Sequence, residues 1–70
     1  MEELIKYIES RYAFAQVNDN RAAREIFMSQ AYGALDFYQI LHPELEKELI
    51  SLWENTYCPK FNALVFKAIR

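Results

Sequence analysis

The sequence contains one histidine and one cysteine, two residue types that often act in catalysis and metal binding. A catalytic nucleophile needs a base within hydrogen-bond reach and a third group that orients the base. His42 precedes Pro43 and Cys58 precedes Pro59, and neither has a catalytic partner at a recognisable spacing. A polar residue at a helix junction and a small buried hydrophobic residue are the simpler roles for them. We therefore predict no catalytic residues and no enzyme activity.

Metal and cofactor sites have equally little support in the sequence. A structural zinc site needs several Cys or His ligands at short spacing, and the chain has one of each. Glu44 and Glu48 lie one helical turn apart, but the interspersed Glu46 and Lys47 favour a solvated charged face. Phosphate-binding loops need several glycines, whereas the chain has only Gly33. The sequence predicts neither a metal nor a cofactor.

Basic residues at two places in the chain form a candidate site for nucleic acid. Two of them open the second predicted helix and three lie in the C-terminal segment, so they would form a positive patch if these two ends meet. The net charge of −2 opposes nucleic-acid binding without excluding it. A small nucleic-acid-binding regulator is the alternative function. The residues concerned are Arg21, Arg24, Lys60, Lys67 and Arg70.

Three aromatic residues fall outside the apolar faces of their predicted helices. Tyr7 and Phe14 are seven residues apart on the first predicted helix with Arg11 between them, and Phe66 lies off the apolar face of the C-terminal segment. Aromatic residues next to an arginine are typical anchors of protein interfaces. Packing against another helix of the same bundle is the alternative interpretation. Tyr7, Arg11, Phe14 and Phe66 are therefore interface candidates.

The candidate residues above lie in a short and strongly apolar chain. It has 70 residues, of which 53% are hydrophobic and 26% charged, with one glycine and two prolines. This composition predicts a single helical domain over residues 1–70. A domain of this size has little interior, so some apolar surface is expected to be exposed. Such a patch commonly binds a protein partner, often a second copy of the same chain.

Two helices are predicted before residue 42. Apolar residues recur with helical period over about residues 2–17 and again over about residues 20–41. The Asn18–Asn20 turn separates them, its last two residues are candidate N-caps, and its short length predicts antiparallel helices. The second helix is apolar around most of its circumference, so we expect it to be central and surrounded. Gly33 is expected to permit a close helix crossing there.

A third helix is predicted to begin at Pro43, because the first helical position tolerates the missing N–H of proline. Pro59 interrupts this helix, since it removes a helical hydrogen bond and disfavours helical geometry at Cys58. The helix either bends at Pro59 or splits into two, and we prefer the bend. The predicted fold class is therefore an all-α, small antiparallel bundle of three helices, or of four if the third is split.

The location of the protein is predicted from its cysteine and its apolar runs. A single Cys58 cannot close an intramolecular disulfide, which favours a reducing compartment. The N-terminal sequence lacks the basic region and uninterrupted apolar run of a signal peptide. No stretch approaches the roughly 20 apolar residues of a membrane span. We expect a cytoplasmic protein without a membrane partner.

Two runs carry a resemblance to known proteins. The run SQAYGALDFY begins at Ser29, and the run LWENTYCPKFNALVF ends at Phe66. Together they resemble the pattern in short uncharacterised proteins carried by phages and mobile elements of Gram-positive bacteria. The resemblance implies a small helical accessory protein and carries over no functional residues.

The high apolar content and the aromatic residues outside the helix faces favour one function class. We predict a small non-enzymatic protein-interaction module that presents a helix face to another protein. The expected partner is a second copy of the chain, which would make the protein a homodimer.

Overall fold

The computed structural model describes residues 1–67, and all regular structure in that part of the chain is helical. The elements in chain order are α1 (Glu2–Gln16), α2 (Arg21–Leu41), a 3-10 turn (Pro43–Leu45), α3 (Glu46–Leu52), a π-helical segment (Trp53–Tyr57) and α4 (Cys58–Val65). The last four follow one another directly and form the third helix of the bundle. The predicted all-α bundle of three helices is confirmed. Within residues 1–67, no helix is long and apolar enough to cross a membrane.

The turn between α1 and α2 is held by asparagine side chains. Asn20 is the N-cap of α2, and its side-chain oxygen accepts a hydrogen bond from the Ala23 N–H at 3.2 Å. The Asn18 side chain accepts one from the Asn20 N–H at 3.1 Å. Such caps satisfy backbone donors that have no partner within the helix. The predicted chain reversal is confirmed, and Asn20 is the residue that caps α2.

The third helix passes Pro59 without stopping. The Cys58 N–H donates to the Trp53 carbonyl, which is a π-type bond between residues five positions apart. Pro59 is the second residue of α4, where a missing N–H is tolerated. Cys58 keeps helical angles, with φ −57° and ψ −48°. The irregularity expected at the proline therefore lies in the π-helical segment, which ends two residues before Pro59. The preferred interpretation of one continuous third helix is confirmed.

The π-helical segment also keeps the third helix in phase with the core. In a regular α-helix, each residue lies about 40° further around the helix axis than the residue four positions before it. A π-type turn holds an additional residue, which subtracts from this drift. One side of the helix therefore stays buried along its length. The buried residues are Leu49, Trp53, Tyr57, Phe61 and Val65.

The core centres on Phe61, which has no exposed surface. The Tyr12 ring meets the Phe61 ring edge-on, with centroids 5.4 Å apart, and the Trp53 ring stacks on it at 5.9 Å. Aromatic pairs with these geometries add to the stabilisation from burial. The other two helices contribute aliphatic side chains to the same core, namely Leu4, Ile8, Ala15, Ala31 and Leu35.

Helix α2 contacts α1, α3 and α4, but it is not surrounded. Ile26, Phe37 and Ile40 are 56%, 61% and 69% exposed. The expectation of a fully covered central helix is wrong, because a bundle of three helices covers only two sides of each. Gly33 is also exposed, and a methyl group added there would meet no atom of residues 1–67 within 4 Å. The expectation that Gly33 permits a close helix crossing inside the chain is therefore wrong too.

Candidate functional site

An exposed, mostly apolar surface runs along the side of α2 that faces away from the core. Ile26, Gly33 and Ile40 are spaced by seven residues, which is close to two helical turns, so they point in nearly the same direction. Ser29 and Gln30 lie on the same side and are polar but uncharged. We call this surface the α2 face. Its apolar members are Ala22, Ile26, Gly33, Phe37, Ile40 and Leu41, all exposed.

Single exposed apolar residues are ordinary, but a continuous row of them marks an interaction site. Ile26, Phe37 and Ile40 are not among the interface residues predicted from the sequence. The signal was present in the pattern of α2, which is apolar around most of its circumference. In a bundle of only three helices, such a helix must leave part of its apolar surface uncovered.

Three of the predicted interface residues come together beside α2. The Arg11 guanidinium lies over the rings of Tyr7, Phe14 and Phe27, at 5.1, 4.9 and 5.6 Å from their centroids. The Phe14 ring stacks on Phe27 of α2, with centroids 5.8 Å apart. We call these four residues the aromatic cluster. Phe14 thus packs against another helix of the bundle while half of its surface stays exposed.

The aromatic cluster borders the α2 face. The Arg11 Nη1 donates a hydrogen bond to Gln30 Oε1 at 3.2 Å, and Gln30 lies on the α2 face. Arg11 is therefore held in place by three rings and one amide. Cation–π contacts at exposed sites contribute about 0.5–1 kcal/mol each. The two surfaces meet at Gln30, so one partner can contact both.

Phe66, the fourth predicted interface residue, lies just beyond the end of α4. Its ring is 64% exposed and is covered on one side by the Arg21 guanidinium, 4.8 Å from the centroid. Arg21 also forms an ion pair with Glu25 at 3.4 Å. Phe66 therefore contacts the start of α2 and is not a member of the aromatic cluster.

Arg24 is buried, with 6% of its surface exposed. Its Nε donates to the carbonyls of Ala15, at 3.1 Å, and of Asn18, and its Nη1 donates to the Leu64 carbonyl at 3.0 Å. Carbonyls at helix ends lack partners within the helix and lie at the negative end of the helix dipole. The assignment of Arg24 to a phosphate-binding patch is wrong, because its guanidinium is enclosed by the ends of α1 and α4.

Three of the other basic candidates, Arg21, Lys60 and Lys67, are exposed on the surface. The ends of α2 and α4 do meet, through the contacts of Arg24 with Leu64 and of Arg21 with Phe66. Lys67 is exposed beside Phe66. The Lys60 ammonium lies elsewhere on α4, over the rings of Tyr12 and Tyr57 at 5.1 and 6.0 Å. Arg70 lies outside the described residues.

The histidine and the cysteine lie apart from each other. His42 Nδ1 is 3.5 Å from a Glu44 carboxylate oxygen, at the junction of α2 and the third helix. The Cys58 sulfur accepts a hydrogen bond from the Asn62 amide at 3.4 Å. Within residues 1–67, no group of three or more His, Cys, Asp and Glu side chains is placed to hold a metal ion.

A groove of about 360 Å³ lies between α2 and the third helix. The Tyr32 and Trp53 rings meet edge-to-face in its wall, with centroids 5.2 Å apart. Cys58 lines it together with the carboxylates of Asp36 and Glu54. The lining contains no histidine that could activate the thiol.

The environment of Tyr57 raises the pKa of its phenol. Its hydroxyl lies 3.4 Å from a Glu9 carboxylate oxygen. Burial, together with the Glu9 charge and this contact, raises the pKa of Tyr57 above its usual value of 10.0. The unfolded chain thus loses this proton at a lower pH than the folded chain. The stability that comes from the neutral phenol is complete below about pH 10 and is lost as the pH rises through the raised pKa.

We predict that Tyr57→Phe removes this pH dependence. The free energy of unfolding of the wild-type protein should fall relative to that of Tyr57→Phe as the pH rises above about 10, because only the wild-type protein carries this phenol. Urea unfolding followed by circular dichroism at several pH values measures the difference. If the difference in unfolding free energy between the two proteins stays constant up to about pH 11, the prediction is wrong.

The α2 face and the aromatic cluster together are the candidate functional site of this protein. The site offers exposed apolar side chains in the middle, with Arg11 and Gln30 as polar groups at one edge. It is suited to burying apolar area against a protein partner. In comparisons with protein-family models, curated proteins and solved structures, no match to this chain was found.

Proposed function

We propose that the protein is a cytoplasmic, non-enzymatic protein-interaction module that self-associates through the α2 face. The observation that carries the proposal is that Ile26, Phe37 and Ile40 are more than half exposed on one side of a helix whose other side fills the core. Burial of apolar surface gains about 25 cal/mol per Å². Association is the available way for this chain to gain that energy, because its own helices already pack on the opposite side of α2.

The aromatic cluster supports the same proposal as the edge of the interface. Tyrosine, phenylalanine and arginine are enriched at protein interfaces, and arginine and tyrosine are frequent hot spots. Arg11 is already held over the Tyr7 and Phe14 rings. Such preorganisation lowers the entropy lost when a side chain becomes fixed on binding. Tyr7, Arg11 and Phe14 are therefore proposed to flank the α2 face in the complex.

Binding of nucleic acid is the second candidate function. It is favoured by the meeting of the α2 and α4 ends, where Arg21, Phe66 and Lys67 lie near one another. It is weakened by Arg24, which is enclosed, and by Glu25, which pairs with Arg21. Binding to DNA or RNA that falls steeply between about 50 and 200 mM salt would support it.

Sedimentation equilibrium tests the main proposal. We expect the average mass of the wild-type protein to rise from monomer towards dimer between about 10 and 500 µM, the range in which a small interface associates. Ile40→Lys should shift this equilibrium to monomer, because it places a charge in the middle of an apolar contact. The far-ultraviolet circular dichroism of the variant should stay helical.

Val17→Lys is the matched control. Val17 is 81% exposed and follows the end of α1, so the variant adds the same charge at another exposed apolar position near a helix C-terminus. We expect it to associate like the wild-type protein. A wild-type protein that is monomeric at about 500 µM, or equal effects of the two variants, would refute the proposal.

A further inference from the structure

We infer that the α2 face binds the α2 face of a second copy of this chain, with the two helices antiparallel and a two-fold axis at Gly33. The inference rests on the proposed function and adds the identity of the partner surface and its orientation. In a two-fold interface the same patch is used on both copies, so a residue and its contact must appear twice. The α2 face meets this requirement in its sequence.

The α2 face is self-complementary about Gly33. Ile26 and Ile40 are each seven residues from Gly33, so the antiparallel arrangement places Ile26 of each copy opposite Ile40 of the other. Ser29 and Phe37 are each four residues from Gly33, so a large ring lies opposite a small side chain in both halves. Large-to-small matching of this kind lets two helix surfaces pack closely.

Gly33 supports the position of the axis. Glycine weakens a helix interior, and the described part of the chain gives no reason for it here, because a methyl group at Gly33 would meet none of its atoms within 4 Å. A second helix that crosses α2 at Gly33 explains why a glycine is found there. Without a side chain at Gly33, the two backbones can approach more closely than they otherwise could.

Electrostatics favour the antiparallel orientation over the parallel one. The α2 face carries no formal charge, since Glu25 and Asp36 lie at its edge. The two helix dipoles then decide the orientation. An antiparallel pair places the positive start of each α2 beside the negative end of the other, whereas a parallel pair places like ends together.

The size of the surface indicates a weak dimer. A standard stable interface buries about 800 Å² on each partner, which is about one sixth of the 4808 Å² surface of this chain. Helix α2 has 21 residues and is about 31 Å long, so the α2 face alone forms an interface at the small end of this range. The aromatic cluster beside it adds to the contact. We therefore expect a dissociation constant in the micromolar range.

Spin labels at the edge of the α2 face test the orientation. Single cysteines replace Glu25 or Asp36 in a Cys58→Ser background, and pulsed dipolar spectroscopy measures the distance between the two copies. An antiparallel pair centred on Gly33 offsets the labels along the helix by about 24 Å at position 25 and by about 9 Å at position 36. The distance should therefore be clearly longer at position 25. A parallel pair gives similar distances at both positions and would overturn the inference.

The result separates the two proposals. If the protein is a dimer by sedimentation but the two label positions give similar distances, the antiparallel α2 pair is wrong and self-association stands. If the dimer persists when Ile40 is replaced by lysine, the surface is wrong. If the labelled proteins and the wild-type protein are all monomeric, both proposals fail.

Gly33→Leu tests the position of the axis. Position 33 is exposed and a Cβ there meets no atom of residues 1–67 within 4 Å, so helical content and melting temperature should not decrease. It would separate the two helices at their crossing point, and we expect association to weaken at least about tenfold. Ala63→Leu is the control, because Ala63 is an exposed small residue on α4 outside the α2 face. Equal association of the Gly33→Leu and Ala63→Leu variants would overturn the inference.

Discussion

Replacing Arg24 with methionine is expected to lower the free energy of unfolding by about 2–4 kcal/mol. Methionine keeps most of the apolar stem but cannot donate to the carbonyls of Ala15, Asn18 and Leu64. The Ala15 and Leu64 carbonyls lie near the ends of α1 and α4, and the Asn18 carbonyl lies in the turn after α1. The Ala15 and Leu64 carbonyls also accept backbone N–H bonds from Asn18 and Lys67, at 3.3 and 3.4 Å. The Arg24 guanidinium adds a charge-assisted hydrogen bond to each of the three carbonyls. The variant should lose both the charge-assisted hydrogen bonds and the link between the two helix ends.

Urea unfolding followed by circular dichroism measures this loss. Arg21→Met is the control, because Arg21 is exposed and, among residues 1–67, forms an ion pair with Glu25 and a contact with the Phe66 ring. We expect the control to lose less than about 1 kcal/mol. Arg24→Lys should fall between the two variants, since one ammonium group cannot reach all three carbonyls. A loss at Arg24 no larger than the loss at Arg21 would show that the buried guanidinium is not a structural clamp.

Replacing Phe61 with alanine is expected to cost about 3–5 kcal/mol of unfolding free energy. Phe61 has no exposed surface and touches the rings of Tyr12 and Trp53. The substitution removes the apolar contacts and leaves a cavity at the junction of α1 and the third helix. A domain of this size has a total stability of roughly 4–10 kcal/mol. The variant should therefore be marginally folded at 25 °C.

A second variant keeps the Phe61 prediction measurable if the alanine variant does not fold. Phe61→Leu retains most of the volume, and we expect it to lose about 1–2 kcal/mol with a cooperative transition. Phe66→Ala is the matched control, because that ring is 64% exposed and its loss should cost less than about 1 kcal/mol. Comparable losses in Phe61→Ala and Phe66→Ala would contradict the assignment of Phe61 to the centre of the core.

The helices and their boundaries could be predicted from local signals. Asn20 caps α2 because its side chain reaches a backbone N–H three residues ahead, and this depends only on neighbouring residues. Pro43 opens the third helix for an equally local reason, its missing N–H. Since these interactions span only a few residues, the sequence pattern contains the information needed to place them.

The residues next to Pro59 do not by themselves determine whether the helix continues through it. Breaking the helix and widening it to a π-type turn both accommodate the missing N–H of Pro59. The packing of Trp53, Phe61 and Val65 against the core favours the widened turn, because it keeps all three on one side. This preference comes from contacts with α1 and α2, which lie far away in the sequence.

The candidate site was predicted in part. Tyr7, Arg11 and Phe14 were selected because their spacing places them on one flank of α1, and the structure brings them together. Ile26 and Ile40 were missed. The pattern of α2 shows that it is apolar on nearly every side, but it does not contain the information about which sides the other helices cover.

The sequence alone determined the all-α class, the helix boundaries and the excess of apolar surface, because each follows from composition or from interactions between residues close in the chain. Only the tertiary structure decided that Arg24 is enclosed and that the α2 face is open. Arg24 is buried because Leu64, 40 residues away, lies beside it. The α2 face is open because the other two helices cannot surround α2. Both facts depend on how the helices are placed in space, and helical periodicity records only the direction of each side chain within its own helix.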